Sequence, residues 1–191
     1  MNKPPLTVYT VTMDNEKTAL LVMDVQNGII DRVQNKDEYL AKVKAAVDKA
    51  HTKKIPVIFV VVGFRPGVPE VSDRNKMFSA LKQSSDSMIN PQPVLTPEED
   101  DVVVTKRRVS AFSSSDLEVI LRAKNIEHLV LSGIATSGVV LSTVREASDK
   151  DYQLTVLSDL CADTDPEVQN VLLNKVFSRQ ATVMTSEEWM A

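Results

Sequence analysis

Short, unbroken apolar runs alternate along this chain with longer stretches whose apolar residues recur every three to four positions. A strand covered on both faces needs apolar side chains in both directions, so it reads as a continuous run and not as an alternation. By that criterion strands are expected at residues 18–24, 57–63, 102–106, 128–133, 153–158 and 182–184. Helical patterns occupy 37–53, 115–123, 138–150 and 166–177. Ser115 with Glu118 three residues on predicts a capping box, and Asp165 ahead of Pro166 puts an acceptor at the N-cap and a preset φ at the first helical position. Strand, helix, strand in this rhythm predicts right-handed crossovers and an α/β fold with helices on both faces of a parallel sheet.

Residues 64–99 break the rhythm. They hold Pro66, Pro69, Pro91, Pro93 and Pro97, with a helical pattern only around 74–83. Such an excursion over strand ends suits a lid or binding loop, and it equally suits a surface ornament or a subunit contact.

Composition narrows the classes. A chain of 191 residues, 43% hydrophobic, is expected to form a single domain over 1–191. A net charge of -4 argues against nucleic acid, whose binding rests on clustered Lys and Arg. Cys161 is the sole cysteine, so no internal disulfide or cysteine-based zinc site can be built within the chain. Residues 1–12 lack the apolar core of a signal peptide, and the longest apolar run, 55–62, is too short to span a bilayer. The expectation is a soluble, cytoplasmic protein with no membrane partner.

Ligands collect at the carboxyl ends of parallel strands, where Asp24, Gly63, Lys106 and Gly133 are expected to fall. Asp24 closes the run ALLVMD, and a carboxylate after so much buried chain needs a partner or water; a turn or cap aspartate is the plainer reading. Lys106 closes VVVT and is its natural counter-charge, although Lys106, Arg107 and Arg108 also read as an ordinary solvated basic run. Pairing favours both charged forms, while burial opposes both. The segment GIATSGVV, 133–140, offers backbone N–H groups at a strand-to-helix turn, which suit a developing oxyanion and also describe a plain turn of small residues. His51 and His128 have no acidic or histidine neighbours at metal-ligand spacing, and five glycines without GxGxxG or a P-loop supply no nucleotide cradle, so no metal and no cofactor is expected. A GxSxG elbow is absent as well.

Taken in order, DVQNG from Asp24, TKRRVSAF around Lys106 and GIATSGVVLST from Gly133 resemble the isochorismatase-like hydrolases, the cysteine hydrolase superfamily, over about 18–184. The resemblance implies a three-layer α/β/α sandwich on a six-stranded, mostly parallel Rossmann-like sheet, a homo-oligomer, and a small-molecule substrate. It assigns Asp24 and Lys106 to the catalytic centre, and a non-proline cis peptide between Ile134 and Ala135. It also implies a substrate or oxyanion pocket built from Phe64, Arg65, Phe112, Ile134, Ala135, Thr136 and Gly138. The amidase branch carries its nucleophilic cysteine six residues after the glycine, which here is Val139, and an isopropyl group cannot attack a carbonyl. Relatives that hydrolyse isochorismate, a vinyl ether, also lack that cysteine and use the aspartate as a proton donor. The resemblance thus implies hydrolysis of a small polar metabolite by Asp24 acid–base chemistry, or else a silent homologue kept as a binding or assembly module. Ser137 and Ser142 lack an obvious histidine base, and Cys161 is expected to be a packed structural thiol.

Overall fold

The computed structural model describes residues 14–83 and 88–191. Six strands, β1 (Thr18–Met23), β2 (Val57–Val62), β3 (Val102–Lys106), β4 (His128–Ile134), β5 (Gln153–Ala162) and β6 (Thr182–Met184), form one sheet in the order β3-β2-β1-β4-β5-β6. Every neighbouring pair is parallel. All residues of β1, β2 and β4 are buried, which is why these strands read as continuous apolar runs.

Helices cover both faces. Leu20, Val22, Val57 and Phe59 point to the side of α1 (Lys36–Thr52) and α5 (Ser186–Met190), packing with Val43, Ala46 and Trp189. Ala19, Leu21, Met23, Ile58 and Val60 point the other way, to Leu117 and Leu121 of α2 (Leu117–Ala123), Val144 of α3 (Leu141–Asp149) and Phe177 beyond α4 (Pro166–Val171). Each Val, Leu, Ile, Phe or Met side chain among these contributes about 1.5–3 kcal/mol on burial, so the double-sided sheet carries most of the stability. The result is a three-layer α/β/α sandwich. Strand order reverses between β1 and β4, and the crevice beyond their carboxyl ends is where a ligand site is expected.

Several local expectations change. Ser115 forms no capping box: its hydroxyl donates to the Ala111 carbonyl at 2.6 Å and accepts from Leu117 N–H, so the helix opens only at Leu117. Asp165 does cap α4, accepting from the N–H groups of Glu167 and Val168 ahead of the predicted proline turn. That helix then widens into a π turn at Leu172–Val176 and does not run evenly to 177. Strand β5 extends through Ala162, past a bulge opposite Leu131–Gly133, because Leu160 and Cys161 are buried; Cys161 therefore sits within the strand and not after it. The α5 helix was not foreseen, although T-S-E-E is its capping-box signature, with Thr185 and Glu188 satisfying each other's backbone N–H groups.

Within 64–99 the helical pattern at 74–83 yields only a 3-10 turn, Ser79–Gln83, because Asn75 closes its own local turn by accepting from Phe78 N–H at 3.1 Å. The segment then returns across the strand ends: Val94 N–H donates to Val25 O at 3.0 Å and Phe64 N–H to Met88 O at 2.8 Å. Gly63 permits this passage, since a Cβ there would lie 2.4 Å from Pro91 Cγ.

Candidate active site

Asp24 directly follows β1 with φ +57°, a left-handed conformation that aspartate tolerates better than most residues and that turns its carboxylate into the crevice. Lys106, the last residue of β3, reaches it: Nζ lies 3.0 Å from Asp24 Oδ2 and donates to Arg108 O at 2.9 Å. Both are buried, at 5% and 2% exposure. Gln26, two residues on, is fully buried and clamps the end of β2, donating to Val62 O at 3.0 Å and accepting from Val62 N–H at 2.8 Å. It fixes the spacing over which Lys106 must reach.

Burial decides the electrostatics of the pair. Desolvation outweighs the pull of Lys106 and pushes the Asp24 carboxyl from 3.8 up to about 6, and it likewise lowers the Lys106 ammonium against the pull of Asp24. Asp24 Oδ1 is buried with no hydrogen-bond partner among the described residues. A buried oxygen of this kind costs more as part of an ionised carboxylate than as part of a neutral carboxyl.

Opposite this pair, β4 ends in a cis peptide between Ile134 and Ala135, and the chain enters α3 through a π turn, Thr136–Val140. Asp163 pins the turn by accepting from Ser137 N–H at 2.7 Å, and Gly138 N–H donates to Ala135 O. Those two amide donors are therefore already engaged. Gly133 must be glycine, because a Cβ would lie 2.4 Å from Met23 O on the adjoining strand. The turn delivers Ala135, Gly138 and Val139 to the wall of a cavity of about 240 Å³, whose floor is Asp24 and Lys106. Met77, Phe78 and Met88 supply a further apolar wall, and Arg32 lies at the rim.

A family profile described as the Isochorismatase domain matches residues 18–188. The chain belongs to the isochorismatase family. It is 30% identical over 185 residues to the isochorismatase family protein YwoC of Bacillus subtilis, covering 95% of this chain and 96% of that one. It is also 30% identical over 184 residues to the ureidoacrylate amidohydrolase RutB of Methylobacterium radiotolerans, covering 82% of this chain and 71% of that protein. An isochorismatase family protein from Burkholderia thailandensis superposes with a TM-score of 0.76 at 29% identity, covering 93% and 95% of the two chains.

On this isochorismatase scaffold the predicted site residues divide. Asp24, Lys106, Ile134, Ala135, Gly138 and Val139 meet around one cavity. Arg65 lies outside its lining, held by Glu70, which takes Arg65 Nη1 at 2.5 Å and also accepts from Arg65 N–H. Phe64 packs edge-on to Phe78, ring centroids 5.6 Å apart, and so supports the wall from behind. Phe112 belongs to the opposite core, against Tyr152 and under Lys150. Thr136 is fully buried, its Oγ1 unpartnered among the described residues. Both histidines lie at the far end of the sheet: His128 opens β4, and His51 contacts Asp101 and Glu98 below β2. Cys161 is buried with its thiol pushed up to about 12 by desolvation. Among the described residues no three His, Cys, Asp or Glu side chains are gathered to hold a metal ion, and no helix is long and apolar enough to cross a membrane.

Sequence reasoning missed Arg32, Gln26, Met77, Phe78 and Met88. Arg32 in DRV carries no signal. Large apolar residues inside an otherwise polar, proline-rich excursion were a legible sign for Met77, Phe78 and Met88, as was an amide two residues past a buried strand for Gln26.

Proposed function

We propose that the protein hydrolyses a C–O or C–N bond of a small polar metabolite, with Asp24 as proton donor, Lys106 as its counter-charge and no cysteine nucleophile. The observation that carries this reading is the buried Asp24–Lys106 pair at 3.0 Å, whose carboxyl is pushed up to about 6 and whose Oδ1 is free of protein partners among the described residues. A carboxyl so placed is poised for general acid work near neutral pH. The family's amidohydrolases, such as RutB, support hydrolysis as the reaction class. Val139, at the position where the resemblance puts a cysteine, presents an isopropyl group to the cavity, which favours a non-covalent route.

For a vinyl ether the steps balance as follows. Asp24 transfers its proton to the terminal alkene carbon, the C=C pair forming the new C–H bond, and the resulting cation is shared with the ether oxygen. Water adds to the cationic carbon and returns a proton to Asp24, now a carboxylate held beside Lys106. Collapse of the hemiketal breaks the C–O bond, its hydroxyl proton passing to the departing oxygen, and releases a carbonyl compound and an alcohol.

The test is a panel of small vinyl ethers, amides and esters against the wild type and Asp24→Asn. We expect turnover in the wild type to fall about tenfold per pH unit above about 6, as the acid ionises, and a loss of at least about 100-fold in the variant. Full activity in Asp24→Asn would refute the mechanism. Val139 favours one other reading, a silent binding module, which a panel inert with both proteins would support.

A further inference from the structure

The arginines near the strand ends differ in what holds them. Arg65 is paired with Glu70; Arg107 donates to Gly63 O at 2.6 Å; Arg108 donates to Glu70 O at 2.8 Å. Arg107 and Arg108 fasten the start of the 64–99 excursion to the end of β3, and Arg65 ties that start to itself. Arg32 differs: it lines the cavity, it is exposed, and among the described residues its guanidinium has no ion pair or hydrogen bond. It is the last residue of a 3-10 turn, Ile30–Arg32, that is anchored by buried Ile29 and Ile30, so its backbone is fixed while its side chain is unspent among the described residues.

The rim beside it is apolar. Met77 lines the same cavity yet is 62% exposed, an unusual state for a large apolar side chain and one that a ligand body would relieve. The cavity is thus graded from a buried acid and ammonium at its floor, through apolar walls of Phe78, Met88 and Val139, to a guanidinium at its mouth that is unpaired among the described residues. Among the described lining residues two cations face one carboxyl.

We infer that Arg32 is the specificity-determining residue of this site and selects a substrate bearing one carboxylate, joined by a short apolar body to the bond that is cleaved at Asp24. A carboxylate fits because the planar guanidinium fork matches its two oxygens. A phosphoryl group would bring a third oxygen and a second charge to a rim whose other walls are apolar. The inference rests on the proposed use of Asp24 for which bond is cleaved, but the carboxylate subsite itself does not require turnover.

The test is therefore binding. Hexanoate and benzoate, with hexanamide and benzamide as uncharged controls and inorganic phosphate as a second anion, are titrated by calorimetry into wild type, Arg32→Gln and Arg65→Gln. We expect the carboxylates to bind the wild type at least fivefold tighter than their amides and to outbind phosphate, with the preference fading as salt rises. Arg32→Gln should abolish the preference and its salt dependence, whereas Arg65→Gln should keep both. Equal binding of acid and amide by the wild type, no binding of either, tighter binding of phosphate, or an unchanged preference in Arg32→Gln would overturn the inference. Carboxylate preference in a protein with no turnover would defeat the proposed hydrolysis and leave the subsite standing; turnover indifferent to Arg32→Gln would do the reverse.

Discussion

Replacing Asp24 by Asn, or His128 by Gln, should change the response of folding stability to acid in opposite directions. Burial pushes Asp24 up from 3.8 to about 6, so the folded protein takes its proton before the unfolded chain does. The stability this contributes is fully present below pH 3.8 and is lost as pH rises through about 6. Burial lowers His128 from 6.5 to about 4, so here the unfolded chain binds the proton first. Stability from the neutral ring is present above pH 6.5 and is lost as pH falls toward 4. The neutral ring is accommodated by two threonines: Thr18 gives its hydroxyl proton to Asp14 O and faces Nδ1, and Thr155 lies 2.9 Å from Nε2. At ~1.4 kcal/mol per pKa unit, each displacement of two units or slightly more is worth on the order of 3 kcal/mol. Between about pH 4 and 6.5 the two nearly cancel in the wild type. As pH falls from about 6.5 to about 4, Asp24→Asn should therefore lose about 3 kcal/mol, while His128→Gln should gain about as much. Urea unfolding at several pH values reads both, and groups common to the variants drop out of the difference between them, about 6 kcal/mol. Parallel profiles for the two variants would refute the reasoning.

Two further outcomes follow from the same burial. Lys106→Met leaves Asp24 without its cation; the cost should be on the order of 3 kcal/mol at about pH 8, where the carboxyl must ionise or bind a proton against the solvent, and should shrink at about pH 5, where Asp24 is already neutral, as read by urea unfolding. Cys161, its thiol pushed up to about 12, should resist iodoacetamide in the folded wild type and react only on denaturation, whereas Val139→Cys should gain one label on the folded protein beside Lys106, counted by intact mass.

What could be read in advance follows from what each signal depends on. Strands β1, β2 and β4 were legible because both their faces are buried, so each residue carries the same message, and the caps at Asp165–Pro166 are local chemistry. Asp24 and Lys106 were legible as strand-end charges, since strand order alone brings such ends together. Arg65 and Arg32 were not. They lie in irregular chain, where a side chain's direction is set by distant partners such as Glu70, and nothing local distinguishes a tied guanidinium from a free one. The extension of β5 through Cys161 failed for a related reason: its apolar run is broken by Ser158 and Asp159, whose side chains serve Met184 O and Ser186 across the sheet edge.

The pair at the floor of the cavity also explains why so much of this fold is invested around it. A buried ion pair seldom stabilises a protein, because desolvating both charges offsets their attraction. Here both partners move in the direction desolvation dictates, Asp24 upward and Lys106 downward, so the site is a net cost that the flanking strands must offset. Exposing the pair to water would relieve that cost, and it would also return Asp24 toward 3.8, where it holds no proton at neutral pH. Buried Val139, Ile134 and Met88 line the cavity beside the pair and so contribute to its desolvation, and the 64–99 excursion is held across the strand ends through Val94 and Phe64. The buried apolar side chain at position 139 is therefore one of the surfaces that desolvate Asp24 and hold its carboxyl up, as the proposed acid role requires.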